Sequence, residues 1–344
     1  MNIAVDVTFH AGWWHKYTGI CFNEDFFMNP QYRIECDLKM RKLLYDKFGD
    51  MGLGEKNPKP RPIMGTDLLA SGYLYSSIMG CEVKFYEDRT PEVICSNISD
   101  TDMEKVKIPE ISGNRIWKDT VKQFDYLEQK FGYVESHINF EGIQNNAMDL
   151  RGSSLFIDYY ENPVLAKKLL DICTLFSISL GKYISSRSKV MSHGISAIVS
   201  KVMPDVYLTA NCTVEMISGE LYEKFLLDQD NKLAGVFKPF GIHHCGKSME
   251  HVVKGYAKVK DLRFAEVGAG SDITAVRNAL PGVFLNLRYS PVKLMTATEN
   301  EIMEDIERMS VEACSMYSFS CVGIDSETSD EQVRNFLKCV KRLE

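Results

Sequence analysis

The chain has 344 residues, of which 45% are hydrophobic, 25% charged and 11% aromatic, and this composition excludes disordered and fibrous proteins. Its formal net charge of −7 is spread along the chain, and no basic stripe interleaved with aromatic residues occurs, so we expect no nucleic-acid partner. Neither a signal-peptide pattern nor a run of about 18 apolar residues is present, so we expect a cytoplasmic protein without a membrane span. Its ten cysteines are then expected to be thiols.

The N-terminal part of the chain is predicted to be helical. Residues 32–48 place apolar side chains at mostly helical spacing, and the three prolines of the stretch 52–62 indicate a long loop after this helix. We therefore expect a single domain over residues 1–344, in which residues 1–60 form a helical and aromatic cap and residues 61–344 form the main body.

Farther along the chain, short apolar runs alternate with helical stretches. The runs that predict strands are 81–86, 133–140, 194–200, 240–245, 262–268, 283–289 and 316–323. Helices between them have start signals at Asn162-Pro163 and Ser218. About seven or eight such units favour an α/β fold, a closed (β/α)₈ TIM barrel with an N-terminal helical extension, whose reactive side chains would lie at the carboxyl ends of the strands.

The sequence GIHHCGKS, residues 241–248, ends one of these predicted strands. On a strand His243 and Cys245 project to the same side and His244 to the opposite side. An imidazole and a thiolate that converge in this way suit Zn²⁺, and Cys321, at the end of the last predicted strand, would supply a third ligand and leave a fourth position open. Two alternatives remain: ordinary packing of buried side chains, and a cysteine nucleophile with a histidine base, which this spacing disfavours.

Several stretches of the chain resemble the uroporphyrinogen decarboxylase superfamily, and within it the zinc- and corrinoid-dependent methyltransferases of the O-demethylase type. The stretches are IMGTDLLASGYLYSSIMGCEVKFYED, YYENPVLAKKLLDICTLF, TANCTVEMISGELYEKFLL, GIHHCGKSMEHV and SFSCVGIDSETSDEQVRNFL. The resemblance implies that His243, Cys245 and Cys321 bind zinc. It also implies that Asp67 occupies the place of the family's aspartate at the barrel mouth.

The same resemblance implies a reaction. Residues 1–19 contain no arginine, whereas the decarboxylase itself carries an arginine-rich motif there, so decarboxylation of uroporphyrinogen is disfavoured. The implied activity is methyl transfer that needs zinc and a corrinoid (cobalamin) carried by a partner protein. We expect an aryl methyl ether as donor and Co(I) as acceptor, because aromatic residues crowd positions 9–27 and suit stacking on a flat ring. The alternatives are transfer from methyl-corrinoid to a thiol, and a non-catalytic binding protein.

Further candidates follow from position alone. Trp13, Trp14 and Tyr17 either bind the aromatic substrate or cap the core. The remaining candidates lie at or near the ends of predicted strands, where they could contact substrate, corrinoid or only other protein groups: Asn211, Glu215, Glu266, Asn286 and Arg288. His137 and His193 have no ligand spacing and are predicted to have no special role.

Overall fold

The computed structural model describes residues 3–108 and 113–343. Its strands are β1 (Val5–Phe9), β2 (Ile63–Gly65), β3 (Glu82–Lys84), β4 (Glu92–Ile94), β5 (Glu135–His137), β6 (Phe140–Glu141), β7 (Tyr207–Ala210), β8 (Phe240–His243), β9 (Leu262–Val267), β10 (Phe284–Tyr289) and β11 (Tyr317–Ile324). Seven of these strands form one parallel sheet in the order β1-β11-β10-β9-β8-β7-β6.

The remaining strands complete the architecture. Strands β2 and β5 form a separate parallel pair, and only Ile138 and Asn139 separate β5 from β6, so this pair continues the curved sheet beyond its β6 edge. Strands β3 and β4 form an antiparallel hairpin outside the sheet. Parallel strands joined by helices give an α/β fold, in agreement with the predicted class.

The helices surround this sheet. They are α1 (Ala11–Thr18), α2 (Glu24–Met28), α3 (Pro30–Phe48), α4 (Leu74–Ile78), α5 (Asp100–Lys105), α6 (Arg115–Phe131), α7 (Ile143–Arg151), α8 (Ser154–Glu161), α9 (Pro163–Arg187), α10 (Val199–Val202), α11 (Gly219–Leu221), α12 (Leu227–Val236), α13 (Glu250–Tyr256), α14 (Ile273–Ala279), α15 (Pro291–Leu294), α16 (Glu299–Ala313) and α17 (Asp330–Lys341). No helix in residues 3–108 and 113–343 combines the length and apolar composition needed to cross a membrane.

Local sequence explains where the longer helices begin. Helix α3 starts with Pro30 at its first position, and the side chain of Asn29 accepts hydrogen bonds from two backbone N–H groups of the first turn. Helices α16 and α17 start with capping boxes, Thr298 with Glu301 and Ser329 with Gln332, in which each side chain bonds the other residue's backbone. The helical stretches predicted near 32–48 and 163–172 are present.

The predicted strand at 194–200 is absent. Residues 192–198, of which all but Ala197 are buried, form no strand pairing, and helix α10 follows them. A Cβ atom on Gly194 would lie 1.8 Å from the carbonyl oxygen of His137, so this segment packs directly against the end of β5. A short apolar run is buried equally well as a packed loop, and periodicity cannot distinguish the two.

The N-terminal boundary also differs from the expectation. Residues 5–9, expected in a cap, form strand β1, which pairs with β11 inside the main sheet. The run 81–86 forms one arm of the small hairpin and contributes no strand to the barrel. Strand β1 is only five residues long and β2 only three, too short for a clear periodic signal.

Candidate metal centre

The carboxyl ends of β7, β8 and β9 lie side by side. Ala210 pairs with His243, and His243 pairs with Glu266, so these three residues stand at the same height and project from the same face of the sheet. Cys212 follows β7 and Cys245 follows β8. Adjacent parallel strands therefore bring residues distant in sequence to one end of the barrel.

Three potential ligands meet there. The ligand atoms of Cys212, His243 and Cys245 all lie within 4.8 Å of one another. His243 is buried, Cys212 is half-buried and Cys245 is exposed, so the cluster is accessible from one side. Two sulfurs and one imidazole nitrogen form a donor set typical of catalytic zinc, which leaves a fourth position for water or substrate. The residues present therefore fit this metal.

Glu266 orients the histidine of this cluster. The Nδ1 atom of His243 lies 2.5 Å from Oε2 of Glu266, and the guanidinium of Arg288 lies 3.6 Å from Oε1 of the same carboxylate. Burial alone would raise the pKa of Glu266, but His243 and Arg288 lower it below its ordinary value, so it is a carboxylate. With Nδ1–H donated to Glu266, the Nε2 atom of His243 remains for a metal.

The electrostatics favour a charged sulfur at Cys245. A hydrogen bond from Cys212, together with the charge of His243, lowers the pKa of Cys245 to about 3. The same bond raises the pKa of Cys212. Burial would lower the pKa of His243, but Glu266 and Cys245 raise it to about 10. The cluster thus holds the Cys245 thiolate beside an imidazolium. Metal binding then requires loss of one proton from His243 and of the thiol proton from Cys212.

Cys321, predicted as the third ligand, does not join this cluster. Its neighbours in β11, Ser318 and Ser320, both hydrogen-bond Asn286 on the inner face, so Cys321 projects to the outer face. It pairs with Tyr289, whose ring packs on α17 and whose hydroxyl donates to α16. Burial raises the pKa of Cys321 to about 12, as expected for a neutral thiol among helices.

Cys212 is the residue that sequence reasoning missed. It lies in a short 3₁₀ segment, Cys212–Met216, directly after β7. No spacing motif links it to His243, because its approach depends on strand pairing across the sheet. The available signal was its position beside Asn211 and Glu215, the two candidates that were expected near the end of a strand.

His244 projects away from the cluster, as the strand alternation predicts. It is fully buried, and its Nδ1 accepts a hydrogen bond from the hydroxyl of Tyr256 at 2.9 Å while Nε2–H donates to the carbonyl of Ser248 at 3.0 Å. Burial lowers the pKa of His244, so the ring is neutral. Its hydrogen bond to Ser248 stabilises the loop that follows Cys245.

Asn211 and Glu215, predicted as catalytic, are engaged with the protein. The Asn211 amide donates to Asp230 at 2.9 Å, and Asp230 also accepts from the hydroxyl of Tyr222 at 2.7 Å. Glu215 accepts the backbone N–H of Lys247 at 2.6 Å. Both side chains therefore support the segments that carry Cys212 and Cys245, and neither projects freely toward a substrate.

Asn286 and Arg288 both face the barrel interior. The Asn286 amide donates to Ser320 at 2.8 Å and accepts from Ser318 at 3.0 Å, so its hydrogen-bonding groups are occupied by β11. Arg288 lies beside Glu266, and its charge helps to lower the pKa of Cys245. Of these two residues, Arg288 is the one next to the metal cluster.

Asp67 lies in a half-buried ion-pair network with Arg61 and Asp37. Its carboxylate forms two hydrogen bonds with Arg61, at 2.5 and 3.0 Å, and Arg61 also bonds Asp37 at 2.6 Å. Burial would raise the pKa of Asp67, but His137 and Arg61 hold it well below its ordinary value. An aspartate so tightly paired is a poor proton carrier, and the arrangement favours a structural role.

The aromatic residues at positions 9–27, which were expected to stack on the substrate, are largely part of the core. Trp13 and Trp14 are 0% and 1% exposed, and Trp13 stacks on Phe9 with ring centroids 3.9 Å apart. The indole N–H of Trp14 donates to the carbonyl of Leu68. Of the three candidates Trp13, Trp14 and Tyr17, Tyr17 alone is exposed, at 39%.

Comparison with known proteins finds a similar sequence and a similar fold. No protein-family model matches the chain. The chain is similar to methylcobamide:CoM methyltransferase MtbA of Methanosarcina acetivorans, with 20% identity over 274 residues, 77% of this chain and 76% of that protein. A solved methyltransferase structure from Methanosarcina mazei superposes with a TM-score of 0.69 and 17% identity, over 99% of this chain and 94% of that chain. This likeness confirms the predicted TIM-barrel fold class.

Proposed function

We propose that this chain, a corrinoid-dependent methyltransferase of the uroporphyrinogen decarboxylase superfamily, holds zinc on Cys212, His243 and Cys245 and moves a methyl group between a small molecule and the cobalt of a corrinoid protein. The resemblance to the superfamily has support from the sequence similarity and from the shared fold. The observation that carries the proposal is the cysteine-histidine-cysteine cluster at the carboxyl ends of two adjacent strands.

The chain's own groups prepare this site for a metal. Glu266 accepts the Nδ1 proton of His243, which orients the ring and keeps Nε2 toward the cluster. The carboxylate also offsets the positive charge of Arg288 beside it. Zinc bound at such a site acts as a Lewis acid on a substrate oxygen or sulfur. The exposed side of Cys245 provides access for the substrate.

An aryl methyl ether as the methyl donor stays a prediction. Its original support, the aromatic N-terminal segment, is weakened because Trp13 and Trp14 are buried in the core. Other aromatic side chains remain near the barrel mouth: Phe27 and Tyr73 line a cavity at the ends of β2 and β5. These two rings are the ones we expect to contact an aromatic donor.

Transfer from methyl-corrinoid to a thiol is the second candidate. It is favoured by the similarity to a protein named as a methylcobamide:CoM methyltransferase, and by a thiolate-rich cluster that suits binding of another sulfur. Decarboxylation is disfavoured because residues 1–19 lack arginine. A non-catalytic binding protein is disfavoured, because it would not need the access to the metal cluster that the exposed Cys245 provides.

The direction of transfer can be tested with one anaerobic assay. Zinc-loaded protein is mixed with a Co(I) corrinoid and with guaiacol, vanillate, veratrole, methanol or a methylthiol, and conversion of Co(I) to methyl-Co(III) is followed by absorbance. Conversion with the methoxyarenes alone supports the ether-cleaving reaction. Demethylation of methylcobalamin by a thiol, without conversion of Co(I) by any donor, supports the second candidate. If zinc-loaded protein catalyses neither of these two reactions, the proposed function is wrong.

A further inference from the structure

A cavity opens at the carboxyl ends of β2 and β5, at the end of the barrel where the metal cluster lies. Its walls include Phe27, Met64 and the ring of Tyr73, and the rings of Phe27 and Tyr73 pack edge to face with centroids 5.2 Å apart. Its polar side chains include Ser71, His137 and Asn139. A concave surface with apolar walls and a few polar groups is the usual form of a small-molecule site.

Two of these polar side chains, His137 and Asn139, have atoms without hydrogen-bond partners in the described part of the chain. His137 is 4% exposed, yet neither ring nitrogen has a hydrogen-bond partner among residues 3–108 and 113–343. Oε2 of Glu135 lies 3.8 Å from Nε2, which is beyond hydrogen-bond distance. The buried Oδ1 atom of Asn139 likewise has no partner in the described part of the chain. Buried polar groups normally form hydrogen bonds, so these atoms are available to bind a ligand that enters the cavity.

The neighbouring cations do not supply the missing donors. Arg33, which lies behind Phe27 and Met64, directs its N–H groups to the backbone carbonyls of Phe26, Phe27 and Ile63, to the sulfur of Met64 and to the amide oxygen of Gln123. Arg61 is held by Asp37 and Asp67. The buried oxygen of Asn139 can therefore accept a hydrogen bond from a ligand in the cavity.

Gly72 keeps the space above these groups open. A Cβ atom at this position would lie 2.7 Å from Oε1 of Glu141 and 3.0 Å from Nδ2 of Asn139. Burial and the nearby Asp149 raise the pKa of Glu141 to about 8, so this carboxyl is mostly protonated at neutral pH. The wall beside Gly72 thus carries hydrogen-bonding groups of little net charge.

The cavity is within reach of the metal cluster. Glu141 pairs with Ala210 on β7, and Ala210 pairs with His243 on β8, so the Gly72 wall is two strands from the cluster. At the usual strand spacing this is about 10 Å. A substrate anchored in the cavity can therefore extend toward His243 and Cys245.

We infer that His137 and Asn139 bind the polar head of the substrate, and that this head donates hydrogen bonds, as a hydroxyl or a protonated amine does. The inference rests on the proposed function only in treating the ligand as its substrate, since binding itself needs neither corrinoid nor methyl transfer. The cavity has a volume of about 30 Å³ for water-sized groups, which is room for a polar head of one or two heavy atoms.

The test uses pairs of probes that differ in whether the head can donate. Guaiacol is compared with veratrole, in which the hydroxyl is methylated, and methylammonium with tetramethylammonium, by isothermal titration calorimetry on zinc-loaded full-length protein without corrinoid. In at least one pair the donating member should bind about tenfold tighter or more, because the capped member leaves buried acceptors unsatisfied. The first pair reports a hydroxyl site and the second an ammonium site.

Variants tie the discrimination to this cavity. Asn139→Leu should abolish the difference within the pair. Gly72→Ala should weaken binding of the donating member, because the added Cβ atom takes up space in the cavity and would lie 3.0 Å from Nδ2 of Asn139. Gln129→Leu, on an exposed position of α6, is the matched control and should behave as the unsubstituted protein. Equal binding within both pairs, no binding by any of the four probes, or discrimination that survives in both cavity variants overturns the inference. Failure of methyl transfer with intact discrimination contradicts only the proposed function.

Discussion

The Nδ1 atom of His243 and the Oε2 atom of Glu266 lie 2.5 Å apart on paired positions of β8 and β9. Strand pairing alone sets this contact, because both side chains leave the same face of the sheet at the same height. The carboxylate therefore orients the imidazole before any ligand binds, and such preorganisation is what a metal site needs.

Removing the Glu266 charge should weaken metal binding. In Glu266→Gln the side chain keeps its shape but no longer fixes the protonation of His243, so we expect zinc affinity to fall roughly 10- to 100-fold. Competition with a chromophoric chelator measures this affinity. Glu220→Gln, at an exposed position, is the control. Unchanged affinity in Glu266→Gln would show that the contact with His243 has no effect on the metal.

Cysteine-to-alanine substitutions can decide whether Cys212 or Cys321 is the third ligand. Cys212→Ala and Cys245→Ala should each reduce zinc affinity by more than roughly 100-fold, because each removes a direct ligand. The loss should exceed the one expected when a residue that only hydrogen-bonds a ligand, such as Glu266, is replaced. Cys321→Ala should retain zinc, since that thiol faces the helices.

Cobalt substitution gives a second readout of the same question. The intensity of the thiolate-to-Co(II) absorption should fall by about half in Cys212→Ala, in which one of two thiolate ligands is removed. Loss of metal in Cys321→Ala with retention in Cys212→Ala would favour the ligand set implied by the family resemblance.

Glu141 should make stability depend on pH. Its pKa rises from 4.5 to about 8 on folding because of burial, so above pH 4.5 the unfolded chain loses a proton that the folded chain keeps. The free energy of unfolding should therefore fall as the pH rises toward 8, by at most roughly 1.4 kcal/mol for each pH unit. Glu141→Gln should remove this loss, making the variant the more stable protein at pH 8 but not at pH 4.

Urea unfolding at the two pH values measures the effect. Asp149, whose pKa burial also raises, keeps part of the dependence in the variant. Glu128→Gln, at an exposed position of α6, is the control and should show the pH dependence of the unsubstituted protein. Equal stability of Glu141→Gln and unsubstituted protein at pH 8 would mean that Glu141 is ionised in the folded state.

The buried indole of Trp13 should matter for stability. Trp13→Ala removes a fully buried ring stacked on Phe9, so we expect a loss of roughly 3–5 kcal/mol in the free energy of unfolding. Tyr17→Ala, at a 39% exposed position, should cost far less. Chemical denaturation compares the two variants. A small loss in Trp13→Ala, with a large loss of ligand binding, would restore the substrate-binding role.

Much of the architecture was accessible from local patterns. The alternation of apolar runs with capped helices predicted the α/β barrel, because each helix start and each buried strand is encoded by residues a few positions apart. The same local rule places His243 and Cys245 on one side of a strand and His244 on the other, which agrees with the arrangement of the three side chains. Strands as short as β1 and β2, and the buried loop before α10, carry too little periodic signal to identify.

The composition of the site depended on contacts between distant parts of the chain. Cys212 approaches His243 because β7 pairs with β8, and Cys321 turns away because its register on β10 aligns it with Tyr289. A shift of one residue in that register would reverse the two faces, and no local pattern reports it. The sequence by itself determined the fold class and the pair His243 and Cys245, whereas tertiary structure decided which third sulfur joins them, because strand register sets the direction of every side chain.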